Sequence, residues 1–279
     1  MADLITLKID DTELKAPKGT LVVDAAKRVN NDIPVFCYHP KLDPVGMCRM
    51  CLVEVGRVQK DRATGQVIMD ENGQPKIAYG VKLETACTLP VEEGMHVRTA
   101  NGKVAAARKD VVELLLTSHP LDCPICDKGG ECPLQNLTMQ HGPGASRFVF
   151  DEKQHLEKRV PLGAPDDTLI YLDRERCIQC ARCVRFSDEI ADDHVIGFYE
   201  RGRKLEIVTF SDPGFDSKFS GNTTDICPVG ALTTADFRFG ARPWELTHSA
   251  SICSHCPVGC NLHLYTRRNG TSCKFEIKR

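Results

Sequence analysis

The sequence predicts an α+β chain of several small domains, and three observations carry that expectation. An N-terminal hairpin leads into a short apolar helix, a longer helix with one apolar face begins near residue 102, and 15 cysteines fall in groups with short internal spacings. The 279 residues have room for about two domains of ordinary size. With 42% hydrophobic and 27% charged residues the chain has the balance of an ordered globular protein. Its 36 basic and 38 acidic side chains leave a formal net charge of -2, so overall charge points neither to nucleic acid nor to a polyanionic tail.

The alternation over residues 4–9, the turn at Asp10 and Asp11 and a second alternating run over 12–16 predict a hairpin. Thr20 is placed to cap a helix over 21–29. With later strands near 52–55 and 81–85, this order suits a small ubiquitin-like half-barrel packed on one helix. Residues 57–80 are polar and contain Asn72 before Gly73, a type I′ turn signal, and read as a peripheral inserted hairpin or loop. Over 102–117, Val104, Ala107, Val111, Leu114 and Leu115 recur at helical spacing and predict one buried face, ending at Ser118, His119 and Pro120. Residues 140–168 carry Gly142, Pro143, Gly144, Pro161, Gly163 and Pro165 and read as a connection between domains.

The N-terminus holds Asp3, Asp10 and Asp11 and no long apolar run, which is unlike a secretory or transit peptide and places the mature start near Met1. Residues 246–266 lack charge but are rich in Ser, His, Cys and Asn, so no segment is expected to span a membrane. An odd number of cysteines in a chain with no export signal makes a disulfide scaffold a poor explanation and metal ligation a better one.

Four groups of cysteines are distinguished. Cys37, Cys48, Cys51 and Cys87 combine a loop C-x-x-C pair with two more distant thiols, a pattern that lets adjacent sulfurs reach one iron of a 2Fe-2S cluster while remote residues complete the site. The loop over residues 43–51 offers backbone N–H groups to those sulfurs. His119, Cys123, Cys126 and Cys132 are spaced H-x3-C-x2-C-x5-C, three corners of a 4Fe-4S cubane with an imidazole as the fourth, and His141 is the rival histidine. Cys177, Cys180 and Cys183, with Cys227 preceding Pro228, form the triplet-plus-Cys-Pro pattern of bacterial ferredoxins. Ser187 stands where a two-cluster ferredoxin would place a ligand to its other cluster, so one cluster is expected on a fold with room for two. Arg174, Arg176, Arg182 and Arg185 surround this triplet, either as counter-charges or as a solvated face. Cys253, Cys256 and Cys260 resemble three ligands of a further 4Fe-4S cluster, whose fourth ligand is missing from the chain or is Cys273. No G-x-G-x-x-G loop, P-loop or nucleophile–base pair is evident, so the chain itself is expected to carry no nicotinamide, flavin or substrate site. The alternative from another class is a zinc-binding structural module.

In this order the four groups resemble the N-terminal iron-sulfur region of the G-type subunit family (75 kDa subunit family) of NADH-quinone oxidoreductase, respiratory complex I. The resemblance implies a 2Fe-2S ferredoxin-like β-grasp domain over 1–98, a helix with a His/Cys 4Fe-4S segment over 99–140, a 4Fe-4S ferredoxin-like domain with its connecting loop over 141–242, and the start of a molybdopterin-oxidoreductase-like 4Fe-4S domain over 243–279. It implies one 2Fe-2S cluster on Cys37, Cys48, Cys51 and Cys87, and 4Fe-4S clusters on His119, Cys123, Cys126 and Cys132 and on Cys177, Cys180, Cys183 and Cys227. A third 4Fe-4S cluster would take Cys253, Cys256 and Cys260, and Cys273 does not match the family's fourth position, so the chain is expected to be a fragment or a split subunit. Electrons would originate at NADH and a flavin on a partner subunit, cross these clusters and leave toward quinone. The chain would then be a hetero-oligomeric part of the hydrophilic arm, cytoplasmic and peripheral to the inner (plasma) membrane, reaching that membrane only through partners, with no nucleic acid. Iron-sulfur subunits of NAD-linked hydrogenases and formate dehydrogenases share the first motifs and are the alternative.

Overall fold

Alternating apolar residues of the first two strands set the register of the N-terminal sheet. In the computed structural model, which describes residues 3–61, 64–163, 168–211, 214, 215, 217–272 and 274–279, β1 (Leu4–Ile9) pairs antiparallel with β2 (Thr12–Pro17). Helix α1 (Val22–Lys27) follows, then β3 (Leu52–Val58), β4 (Ile77–Tyr79), β5 (Glu84–Thr85) and β6 (Met95–Arg98). The sheet order is β2-β1-β6-β3-β4, with β5 on β3, and β6 runs parallel to β1. A hairpin, a crossing helix and a parallel central strand make a β-grasp. Its core is Leu7, Ile9, Val53, Val55, Met95 and Val97 from the sheet against Val22, Val23, Ala25 and Ala26 of α1. Each Leu, Ile, Val and Met side chain among these contributes about 1.5–3 kcal/mol when removed from water, and the two alanines less.

Several sequence expectations are corrected here. Thr20 does not cap α1. Leu21 occupies the cap position without a side-chain bond, and the N–H groups of Val22 and Val23 donate to the carbonyls of Leu89 and Ala86 at 2.9 and 3.0 Å. Main chain from the 86–89 turn therefore satisfies the orphan donors that a threonine hydroxyl would otherwise take. The strand expected at 81–85 shrinks to Glu84 and Thr85, because Val81 is 91% exposed. Strand β6 has no counterpart among the expected strands. At the 70–74 turn only Gly73 has a positive φ, and Asp70 Oδ1 accepts from the N–H groups of Asn72 and Gln74, so the turn is not type I′.

Helix α2 (Gly102–Leu116) starts at Asn101, whose side chain accepts from the Val104 N–H at 2.9 Å. Its buried stripe is Val104, Arg108 and Val112, whereas Leu114 is 69% exposed. The expected face is thus rotated, and a cation lies within it. Helix α3 (Pro133–His141) follows.

The chain divides into two compact units, 1–117 with 137–149 and 118–136 with 150–279. In the second, β7 (Val160–Pro161), β8 (Ile170–Leu172) and β11 (Leu232–Thr234) form one sheet and β9 (Ile196–Tyr199) and β10 (Glu206–Thr209) another. Helix α4 (Arg182–Glu189) links β8 to β9, and α5 (Ser220–Ile226) links β10 to β11. With β8 paired to β11 and β9 to β10, the two βαβ halves are arranged as a ferredoxin pseudo-repeat. Buried Ser187 donates its hydroxyl to the Asp193 carbonyl, a structural use of the position that would otherwise carry a second-cluster thiol. A separate antiparallel sheet of β12 (Thr247–Ile252), β13 (Asn261–Arg268) and β14 (Phe275–Ile277) closes the described chain.

Candidate metal centres

In the β-grasp unit, Cys37 lies ahead of a loop whose turns bring Cys48 and Cys51 back toward it. The Cys37 N–H donates to Cys48 Sγ at 3.4 Å and the Cys48 N–H to Cys37 Sγ at 3.5 Å. The sulfurs of Cys51 and Cys87 are 3.2 Å apart, and the Cys37 thiol also bonds that of Cys87. Backbone N–H groups of Met47 and Met50 point at the sulfurs of Cys37 and Cys48. Such donors favour thiolates and, in a loaded site, raise the potential. Donation from Cys48 and Cys87 pulls the Cys37 thiol down to about 2, while Cys48 and Cys87 are held above the ordinary thiol range. Gly46, at φ +63°, approaches the turn that carries Cys87: a Cβ there would lie 3.2 Å from Thr88 Cγ2. Tyr38 donates its hydroxyl to Asp24 Oδ2 at 2.5 Å and so ties the Cys37 loop to α1.

The second set lies in the other unit. A short 3-10 turn spans Cys123–Ile125, and Cys126 and Cys132 are buried. N–H groups of Lys128 on Cys126, and of Leu134 and Gln135 on Cys132, face the sulfurs. The His119 ring bonds the Arg176 main chain, and its buried Nδ1 has no hydrogen-bond partner among the described residues. Burial, then the charge of Arg176, pushes His119 down to about 4, so the imidazole is neutral at pH 7 with a lone pair free to ligate. The orphaned buried nitrogen fits a metal ligand better than a solvated side chain. Arg176 is itself buried and fixed by Asp122 at 2.6 and 3.1 Å and by Asp173 at 3.1 Å; its charge is felt at Cys126. It is therefore a paired buried cation rather than a solvated face, whereas Arg174 pairs with Glu157 and Glu206. His141 belongs to the other compact unit.

For the third set, the loop after β8 winds with positive φ at Gln179 (56°) and Ala181 (61°), an uncommon conformation for side-chain-bearing residues. This winding turns the N–H groups of Gln179, Arg182 and Val184 toward Cys177, Cys180 and Cys183. All four residues, Cys227 included, line one apolar cavity with Ile207 and Val229. Burial, then mutual repulsion, pushes the Cys180 thiol up to about 12 and Cys183 well above its usual range; burial first also lifts Cys177 to about 12. Four thiolates are tolerable in such a cavity only around a cationic core, which is the chemistry of iron ligation.

Residues 227–230 link the second and third sets. Cys227 lines the third cavity, the Pro228 carbonyl lies 3.8 Å from Cys132 Sγ, and a Cβ on Gly230 would meet Cys126 Sγ at 2.5 Å. Gly230 is therefore glycine because a sulfur occupies the space of a side chain. Arg242 adds a clamp that the sequence did not disclose, donating to the carbonyls of Cys126 at 2.6 Å and of Pro124.

The fourth set differs. Cys253 is half-buried, Cys256 and Cys260 are exposed on the β12–β13 connection, and the Cys253 N–H bonds the Cys260 carbonyl at 2.9 Å. Cys273 lies outside the described residues. Among the described residues, no group of three or more His, Cys, Asp or Glu side chains is arranged to hold a single metal ion.

A β-grasp and a ferredoxin pseudo-repeat, each with buried cysteines in wound loops, define the class: an iron-sulfur protein. Family models agree segment by segment: a 2Fe-2S iron-sulfur cluster binding domain over 2–102, the NADH-ubiquinone oxidoreductase-G iron-sulfur binding region over 108–147, and the ferredoxin-like domain of NADH-quinone oxidoreductase subunit 3 over 167–233. The G-type subunit of Streptomyces coelicolor NADH-quinone oxidoreductase is 47% identical over 95% of this chain and 29% of its own length. Subunit 3 of the Thermus thermophilus enzyme is 42% identical over 95% of this chain and 34% of its own. The chain belongs to this G-type subunit family of NADH-quinone oxidoreductase, as its iron-sulfur region, and binds 2Fe-2S and 4Fe-4S clusters. It spans about a third of the length of these curated relatives. A chain in the crystal structure of an NAD+-reducing [NiFe]-hydrogenase in the H2-reduced state superposes with a TM-score of 0.66 at 28% identity, over 85% of this chain and 90% of that one.

Proposed function

We propose that this chain relays electrons within an NADH-quinone oxidoreductase, taking them from a flavin-bearing, NADH-binding subunit and passing them toward quinone. The ligands proposed are Cys37, Cys48, Cys51 and Cys87 for a 2Fe-2S cluster, with His119, Cys123, Cys126 and Cys132, and Cys177, Cys180, Cys183 and Cys227, for two 4Fe-4S clusters. When bound, these clusters accept and release single electrons at potentials set by ligand charge, burial and hydrogen bonds to sulfur. The observation that carries the relay is the 227–230 segment, which places main chain from one ligand set against the sulfurs of the next. The chain's own residues supply spacing, N–H donors to sulfur and, through burial, exclusion of water. With Cys256 and Cys260 exposed and Cys253 half-buried, this set would need further protein to cover a fourth cluster. The proposed domains, 1–98, 99–140, 141–242 and 243–279, assign one ligand set to each. No helix among the described residues is long and apolar enough to cross a membrane, and attachment to the cytoplasmic face through partner subunits belongs to the same proposal.

One observation supports a second reading, relay in an NAD-reducing hydrogenase: the likeness over 90% of the hydrogenase chain. Coexpression tests the first. With its flavin-bearing partner and NADH, under anaerobic conditions, the chain is expected to bleach in the visible and develop a 2Fe-2S paramagnetic signal, with reoxidation by quinone. Reduction by hydrogen once a hydrogen-activating subunit is added, without reoxidation by quinone, would support the hydrogenase reading, and no reduction in the presence of the flavin-bearing partner would contradict both.

A further inference from the structure

Arg108 is 6% exposed, in the middle of the buried stripe of α2 between Val104 and Val112, where helical periodicity calls for an apolar residue. Its Nη2 donates to the Leu52 carbonyl at 3.3 Å, and its buried Nε has no hydrogen-bond partner among the described residues. Among those residues no carboxylate forms an ion pair with it. Glu54, two residues beyond Leu52 on β3, is taken by Arg98, Lys103 and Asn101. Asp10, whose charge acts on it less than that of Cys51, is occupied by Asn31 and Thr99. A guanidinium removed from water without a counter-ion is expensive, and its delocalised charge cannot be discarded by deprotonation. The anion whose charge acts most on the guanidinium is the Cys51 sulfur, in the residue adjoining Leu52, ahead of Asp10.

We propose that Arg108 is the fixed counter-charge of the site formed by Cys37, Cys48, Cys51 and Cys87, favouring the reduced over the oxidised 2Fe-2S cluster and so raising its reduction potential. The inference rests on the 2Fe-2S ligand assignment above. Four thiolates, two bridging sulfides and two ferric ions carry a charge of -2, and one added electron makes it -3. A neighbouring fixed positive charge in a low-dielectric site therefore stabilises the reduced form more. The electron comes from a low-potential reductant, and no proton moves through Arg108, which stays protonated in both states. Arg108 touches no reacting atom and is a positioning residue for charge.

The test is an anaerobic dithionite titration of the full chain, followed by the paramagnetic signal of the 2Fe-2S site after iron and sulfide have been quantified. At the potential where the native site is half reduced, Arg108→Gln is expected to lower the reduced-to-oxidised ratio about tenfold, which is about 59 mV for a one-electron couple. Arg108→Lys is expected to stay within about threefold of native, charge being what matters. The 4Fe-4S signals of the same samples should not move. A native ratio in Arg108→Gln, or a shift in Arg108→Lys as large as that in Arg108→Gln, overturns the proposal. If Arg108→Gln loses the cluster, Arg108→Met takes its place. Loss from both neutral variants with retention in Arg108→Lys supports the counter-charge, and loss from all three assigns Arg108 a purely structural role. A native chain that holds no 2Fe-2S cluster overturns the ligand assignment itself, and the iron and sulfide content shows this before any titration.

Discussion

Cys227→Ala is expected to abolish the all-cysteine 4Fe-4S signal and to lower the iron content by about four per chain, the full complement of one cubane. The cause is local. Cys227 is the one proposed ligand of its set delivered from the far half of the pseudo-repeat, at the end of α5, and the three thiols of the 177–183 loop would not close the coordination of a cubane alone. The same change should perturb the histidine-containing site without emptying it, because Pro228 keeps its main chain near Cys132 only as long as the 227–230 turn holds its course. Quantification of iron and acid-labile sulfide with low-temperature spectra checks both parts. Unchanged iron content and an intact signal would remove Cys227 from the ligand set.

His119→Ala should be nearly as severe, but at the second site. Substitution of groups that merely orient metal ligands costs about 10–100-fold in affinity, and loss of the ligand itself should cost no less. Cluster retention at Cys123, Cys126 and Cys132 is therefore expected to fall at least about tenfold, with the other signals unaffected. His119→Cys gives the sign of the electrostatics. A thiolate in place of a neutral imidazole adds one negative charge, so the site should refill with a lower potential. A His119→Ala protein with the native spectrum and potential would return the role of Nδ1 to simple burial. The low pKa of this histidine has a pH consequence as well. Its neutral form is the one buried, so the stability it contributes is present above the ordinary histidine range and is lost as pH falls from about 6.5 toward about 4.

What was legible in the sequence was what is encoded by neighbours along the chain. The β1–β2 hairpin, the span of α2 and the cysteine groups rest on spacings of a few residues, which fix periodicity and loop reach directly. The misplaced features depend on distant partners. Thr20 has the chemistry of a helix cap, yet main chain from Ala86 and Leu89 took that place. Strand β6 has only Met95 and Val97 facing the core, too little alternation to register, although it is the strand that joins β1 to β3. Arg108 was invisible as a buried residue because periodicity ranks side chains by polarity, and a buried cation makes sense only beside an anion that the local pattern does not name. The contact of Pro228 with Cys132 spans 96 residues and was equally out of reach. One signal for it was available: a glycine three residues after Cys227 marks a place where backbone must pass close to something large.

The central claim is that these thiols and one imidazole hold iron and inorganic sulfide rather than zinc. The most direct measurement is metal and acid-labile sulfide content of the chain prepared without air, with its visible and paramagnetic spectra. The account predicts brown protein with about ten irons and about ten sulfides per chain, the sum of one 2Fe-2S and two 4Fe-4S clusters, and about four more of each if the exposed fourth set is filled. Colourless protein carrying stoichiometric zinc and no sulfide would contradict it.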